Sequence, residues 1–385
     1  MSVFNSKNWN SEVFGKYLET VPRVKQNAFL KAGILRTRTD LKSMLTEQTG
    51  GNFISVPMTG LIGGDALNYD GSTDVTATGL DTYLQSMIVV GRMKAWKEKD
   101  FTFDITSKDF MEEIGKQVGD YWDDVDQDTV LSILKGIFGV TANNFNTKHT
   151  LDITAESTAT VGATTLNDAV QKAAGDNKKL FTMAIMHSTV ATTLENLQIL
   201  SYWKETDANG VQRNVTLADW NGRTVLVDDS VPSESGYYAA SSGDAGALKV
   251  VASSPSDGEI LLTDVTGADF YPADVAANDY VVAGDKYITY LLGQNAFDYC
   301  DCGAKVPNEV WRDPKSQGGE DWLITRQRKL FAPKGFSFVQ PSTAIISPTN
   351  AQLATAARWT IVKDTAGTGY FDSKAIPFAR IISRG

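Results

Sequence analysis

Along residues 50–105, short apolar runs alternate with polar, Gly-rich breaks. Asn52–Met58 and Leu84–Val90 are two such runs, and Gly63-Gly64 and the turn pair Asp70-Gly71 lie between them. Apolar strand-like runs on either side of a turn signal predict two antiparallel strands. A hairpin of this length cannot bury both faces on its own domain, and isolated two-stranded hairpins are marginal in water. The pattern therefore predicts an arm that reaches away from its own core and rests on another subunit.

The period then changes from strand to helix. Thr106 and Asp109 have capping-box spacing ahead of an apolar run. Phe110, Ile114, Val118, Tyr121 and Val125 recur at three- and four-residue steps and predict one helix over 107–138, about 45 Å long at 1.5 Å per residue. Gly136 and Gly139 suggest its stop. Asp120, Asp123, Asp124, Asp126 and Asp128 crowd its second half and predict a solvated or interface-facing acidic face.

Further on, Thr165–Ala174 predicts a short helix with Leu166, Ala169, Val170 and Ala173 inward. Phe181–Met186 predicts a buried strand, and His187–Leu200 a helix with Val190, Leu194 and Leu197 inward. Trp220–Pro232 reads as turn, strand, turn, with Asn221-Gly222 a strong tight-turn signal. This alternation argues for an α/β layer. Residues 233–285 turn Ser-, Ala-, Gly- and Asp-rich and predict a small β-rich insertion or elaborated loop, and Lys286–Leu292 a clear strand. A strand pair is expected around Pro333-Lys-Gly335, a short helix over Asn350–Trp359, and a last strand over Ile376–Ile382.

The 385 residues suffice for two or three domains. No apolar run approaches a membrane span, and the first residues lack the pattern of a secretion signal. Two cysteines, Cys300 and Cys302, make no disulfide framework, which fits assembly in a reducing cytoplasm. The net charge of −10 argues against coating nucleic acid by electrostatics. That charge is uneven: residues 1–48 carry eight Lys/Arg against four Asp/Glu, residues 100–128 ten Asp/Glu against two Lys, and residues 305–335 seven Lys/Arg against four Asp/Glu. A basic arm, an acidic helix and a basic block could attract one another between subunits, or be solvated faces with compensating charge nearby.

Candidate chemistry is sparse. No Gly-Lys-Ser/Thr loop is present. Cys300 and Cys302 would put both sulfurs on one side of a strand, as simple packing requires. A structural zinc usually needs four Cys or His ligands, and His149 and His187 are distant in sequence. His187, at a strand-to-helix junction, fits a satisfied structural histidine better than a catalytic base. Trp311, Arg312, Arg326 and Arg328 could serve a nucleic-acid stacking platform or a protein interface, and the negative charge favours the interface. These readings predict no enzyme, no cofactor and no metal.

Taken in order, these parts resemble the major capsid proteins of tailed bacteriophages, the Hong Kong ninety-seven fold. The most suggestive stretches are Phe181–Leu200, Gly222–Pro232 and Tyr287–Phe297, and the likeness rests on their order and spacing. The resemblance implies an α+β fold with an N-arm over 1–48, an E-loop hairpin over 49–106 and a P-domain with spine helix starting at 107–165. It further implies an A-domain over 166–304 carrying the 233–285 insertion, and a P-domain return over 305–385.

The implied function is a shell subunit forming pentamers and hexamers around packaged double-stranded DNA, without sequence-specific binding or membrane. It implies a portal protein, a virion location and assembly in the host cytoplasm. Too few residues precede the hairpin for a built-in scaffold, so a separate scaffolding protein is expected. Relatives that form Lys–Asn cross-links use residues that cannot be matched here, despite Lys94, Lys97 and Lys99. Contact with neighbours is expected from Met87, Ile88, Val89, Val90 and Trp96 and from Trp311, Arg312, Arg326 and Arg328, and a DNA-repelling inner face from Asp120, Asp123, Asp124, Asp126 and Asp128. The rival readings are an encapsulin-like compartment shell and a tail or surface adhesion protein.

Overall fold

A computed structural model describes residues 34–47, 52–60, 62, 66–75, 77, 79–106, 110–156, 159–206, 212–364, 367 and 369–385. The chain divides into two compact units, one of residues 1–142 and 297–371 and one of residues 143–296 and 372–385. Most of the basic segment 1–48 lies outside the described residues. Its described end forms β1 (Leu35–Thr37) and a helix, Asp40–Glu47.

The strands of the first unit are β1, β2 (Phe53–Thr59) and β3 (Thr82–Lys99). The second unit contributes β4 (Thr150–Asp152), β5 (Phe181–Met186), β6 (Ser201–Thr206), β7 (Gln212–Trp220) and β8 (Arg223–Val227). It continues with β9 (Ser233–Ala240), β10 (Ala247–Val251), β11 (Glu259–Leu261) and β12 (Tyr280–Gly293). The chain then returns to the first unit with β13 (Phe297–Asp301), β14 (Asn308–Asp313), β15 (Glu320–Pro333), β16 (Phe336–Phe338) and β17 (Trp359–Ile361), and β18 (Phe378–Ser383) closes the second.

In the first unit the sheet runs β1-β13-β15-β3-β2, with β14 also on β15. Its organising element is β3, whose 18 residues span about 60 Å at 3.3 Å per residue. Its first half pairs with β2, from Thr59–Thr82 to Phe53–Ile88, as the expected hairpin. Its second half pairs with β15, from Val89–Leu330 to Lys99–Glu320. Pro57 sits in β2, where a missing N–H is tolerated because that strand is the sheet's edge. The strand pair expected around Pro333-Lys-Gly335 does not form: β15 pairs with β3, β13 and β14, while β16 pairs with β17.

The long helix covers Phe110–Ile137, close to the expected span. Its first half is only half-buried at Ile114, Val118 and Val125, and Tyr121 is exposed. The second half is closed in on more sides, with Val130, Ile133, Leu134 and Ile137 fully buried. Each such side chain contributes about 1.5–3 kcal/mol of burial. Gly136 packs at its end, where a Cβ would lie 2.1 Å from the Leu353 carbonyl oxygen and 2.7 Å from Trp359 Nε1.

In the second unit ten strands form one sheet. β5 lies parallel to β8 and antiparallel to β12, and β12 also pairs with β9, β10 and β18. Helix Thr165–Ala174 buries Leu166, Ala169, Val170 and Ala173, as its spacing predicts. The next helix is shorter than expected, Ser188–Asn196, and Leu197 faces solvent because the helix ends before it. Asn221 and Gly222 take the expected two-residue turn, with φ of 52° and 78°. Residues 233–285 are a folded extension of the sheet, since β9 pairs with β12 from Tyr280–Ala240 to Tyr287–Ser233. The expected helix over Asn350–Trp359 contracts to Asn350–Leu353, capped by Thr349 and Gln352 in a capping box, and Trp359 begins β17.

Candidate functional site

The arm and its root are built as one piece. At the tip, Asp70 accepts hydrogen bonds from the backbone N–H groups of Ser72 (2.9 Å) and Thr73 (2.8 Å) and from the Thr73 hydroxyl (2.8 Å), while Gly71 takes φ 77°. These donors hold the Asp70 carboxyl well below the usual carboxylate range. Around this ordered turn the chain exposes Ile62, Tyr69 and Val75, the first and last at 87% and 91%. Large apolar side chains left in water on an extended arm lack a partner among the described residues of their own subunit.

Where β3 leaves the arm, its edges are held by side chains. Gln85 Nε2 donates to the carbonyls of Pro333 (2.9 Å) and Phe336 (3.0 Å), and Ser347 Oγ both accepts from Gly91 N–H and donates to its carbonyl. At the far end Glu98 accepts from Met111 N–H at 2.6 Å and so caps the long helix from outside it. Lys97 bonds the buried Glu320 at 3.0 Å, and Arg312 bridges Asp100 and Asp321. These ties were invisible to local spacing because each joins residues more than ten positions apart, except Arg312 with Asp321.

The expected contact residues fall into two groups. Met87, Ile88, Val89 and Val90 are buried in their own subunit, where Met87 and Val89 pack on Leu41, Leu45, Ile54, Cys300 and Leu330. This corrects their expected role, since an apolar run shared by two paired strands and a helix has no free face left. Trp96 is half-buried and meets Tyr121 of the long helix edge-on at 5.3 Å. Trp311 is 50% exposed on β14 and faces Trp322 across the strands at 6.2 Å. Arg326 pairs with Glu309, and Arg328 donates to Asn52 Oδ1. Exposed Met93 lies in register with Arg326 on the same sheet face.

The acidic helix also divides. Asp120 is exposed, and Asp123, Asp124 and Asp128 are half-buried. Asp126 is buried against Lys329 of β15, so it does not belong to a solvated face. Burial outweighs the attraction of Lys329 and pushes the Asp126 carboxyl up. Trp122 anchors the same helix face through its Nε1–H to Thr325 Oγ1 at 3.0 Å.

Other titratable groups have structural duties. Cys300 and Cys302 are free thiols buried in one apolar cluster, and burial pushes Cys302 up to about 12. His187 Nδ1 accepts from Thr189 N–H at the start of its helix. Among the described residues, no group of three His, Cys, Asp or Glu is placed to hold a metal ion, and no helix is long and apolar enough to cross a membrane.

No profile of a known protein family matches the chain. A curated relative does: the major capsid protein of Bacillus phage SPP1 is 24% identical over 353 residues, 92% of this chain and 92% of that protein. The chain is thus similar, over nearly its whole length, to the major capsid protein of a tailed phage. Solved structures agree on the fold of this capsid protein. The capsid subunit of cyanophage Pam1 superposes with a TM-score of 0.54 at 10% identity, covering 100% of this chain and 99% of that one. The head structure of Helicobacter pylori bacteriophage KHP40 gives 0.50 at 12% identity over 99% and 96%. This is the Hong Kong ninety-seven fold, and the capsid protein is a structural, self-associating component of the virion shell. The compartment-shell and adhesion readings are not favoured.

Proposed function

We propose that the protein forms pentamers and hexamers that close into an icosahedral head around packaged double-stranded DNA. The observation that carries this reading is the arm: an ordered hairpin whose exposed Ile62, Tyr69 and Val75 have no cover among the described residues of their own subunit. In a closed shell every subunit both offers an arm and receives one, so modest contacts multiply. We assign residues 1–48 to an N-arm, 49–106 to the E-loop hairpin, 107–142 and 297–371 to the P-domain, and 143–296 with 372–385 to the A-domain around the capsomer axes. A portal protein and a separate scaffolding protein complete assembly in the host cytoplasm. The role needs no catalysis.

Neighbour contacts then fall to the arm's tip, Met93, Trp311 and the Arg312, Arg326 and Arg328 surface, with the Met87–Val90 run serving the subunit's own core. Asp120, Asp123, Asp124 and Asp128 supply an inward acidic face that keeps DNA from adhering to the wall. The test is expression alone and with candidate scaffold genes, followed by electron microscopy. Closed particles or capsomer rings are expected. Monomers or elongated trimers under every condition would overturn the reading.

A further inference from the structure

β14 (Asn308–Asp313) is an edge strand of the first unit's sheet. It pairs with β15 from Asn308–Thr325 to Asp313–Glu320, and no described strand lies along its other side. Five of its six residues are exposed, with Val310 at 70% and Trp311 at 50%. Sheets ordinarily blunt such an edge with Pro, Lys, a bulge or a covering segment. This strand contains neither Pro nor Lys, and its register with β15 runs without a break.

The ladder sets which backbone groups face outward. Arg326 N–H donates to the Pro307 carbonyl at 2.7 Å, one step before the Asn308–Thr325 pair. Bonded and non-bonded pairs alternate in an antiparallel ladder. Glu309, Trp311 and Asp313 therefore bond β15, while Asn308, Val310 and Arg312 turn their N–H and C=O groups away from it. Among the described residues, none bonds those outward groups.

The order of the side chains selects a second copy of the same strand. Two copies related by a two-fold axis normal to the sheet pair antiparallel, and residues facing each other must point to the same side of the sheet. Only residues an even number of positions apart satisfy this. An axis through Glu309 or Arg312 sets that charge against itself, and one through Trp311 sets Glu309 against Asp313 of the second copy. Like charges directly opposite are destabilising. An axis through Val310 avoids them: Val310 meets Val310, Glu309 meets Trp311, and Asn308 meets Arg312. It also places Asn308, Val310 and Arg312 in bonded pairs, for about six backbone hydrogen bonds. The two Trp311 side chains become diagonal neighbours on one face, within each other's reach.

We propose that β14 of one subunit pairs with β14 of a second copy about a two-fold axis through Val310, joining two sheets into one. This deepens the shell reading, on which its weight in assembly rests, because one short strand pair buries too little to hold two subunits alone.

The test uses the full-length chain, concentrated under assembly conditions and mildly oxidised. Opposite residues of a bonded pair have Cα atoms about 5.5 Å apart, within disulfide range. Val310→Cys should therefore shift most of the chain to a dimer band on a non-reducing gel. Asn308→Cys should stay monomeric, because the two copies of that position lie about 13 Å apart along the strands. Val310→Pro removes an outward N–H that the subunit's own ladder does not use. It should leave the subunit melting temperature unchanged and lower the yield of assembled material several-fold. Equal dimer yields at positions 308 and 310, or full assembly by Val310→Pro, would overturn the pairing. A specific Val310→Cys dimer from a chain that closes no particle would keep the pairing and overturn the shell reading. Closed particles without that dimer would do the reverse.

Discussion

Lowering the pH from 7.5 to 5 drives a proton toward His149, and the structure resists it. His149 is buried, stacked on Phe145 at 4.4 Å. Its Nδ1 lies 2.7 Å from the Phe378 carbonyl and its Nε2 2.8 Å from Ser373 Oγ. A carbonyl only accepts, so Nδ1 carries the proton and Nε2 accepts from the serine hydroxyl. Protonation would place a charge where water is excluded, beside Lys148. Burial foremost lowers this histidine to about 4 from an ordinary 6.5. The unfolded chain then binds more protons than the folded one between those values, so stability is complete above about pH 7 and falls as the pH drops. The loss is about 2 kcal/mol at pH 5 and about 3 kcal/mol once the pH is below 4, at 1.36 kcal/mol per unit. Hydrogen exchange of β18, which carries Phe378, reads this locally in the unassembled subunit. Its protection should fall about 30-fold from pH 7.5 to 5 after correction for intrinsic exchange, equivalent to that 2 kcal/mol. His149→Gln lacks this buried titrating group and should show a much smaller fall. Equal losses in the two proteins would refute the reasoning.

Three further outcomes follow from the packing. Gly136→Ala forces a methyl into the Leu353 carbonyl and should destabilise the subunit by about 2–3 kcal/mol in urea unfolding, or abolish soluble expression. Asp126→Ala strands Lys329 in a buried site and should cost about 3 kcal/mol, whereas adding Lys329→Met should recover most of that loss; a double variant as unstable as the single one would contradict the pairing. Asp120→Asn with Asp123→Asn should leave shell yield unchanged and reduce packaged DNA, measured by nuclease protection, and normal packaging would remove the proposed role of the acidic face.

Much of this architecture can be read along the chain wherever one face decides the period. The hairpin, the long helix, Thr165–Ala174 and the Asn221-Gly222 turn are all local patterns that tertiary structure preserved. The misses come from partners distant in sequence. Asp126 looks like one more surface aspartate until Lys329, 203 positions away, closes over it. Met87–Val90 looks like a contact strand because the sequence does not show that β15 and helix Asp40–Glu47 already cover it. A groove in the first unit was equally hidden, since Lys42, Phe53, Lys305, Arg328 and Ile346 meet only in the fold.

The continuity of β3 has a mechanical consequence. A single strand runs from the arm, through the Gln85 and Ser347 ties, to Lys99 at the threshold of the long helix. A fully bonded strand transmits a pull along its length with little stretch, much like a tendon. Any force a neighbour applies at the tip is thus delivered to the Glu98–Met111 bond and the start of the helix, some 60 Å away by the strand's own length. In the proposed shell, a load on the arm would thus be felt inside the subunit's own body.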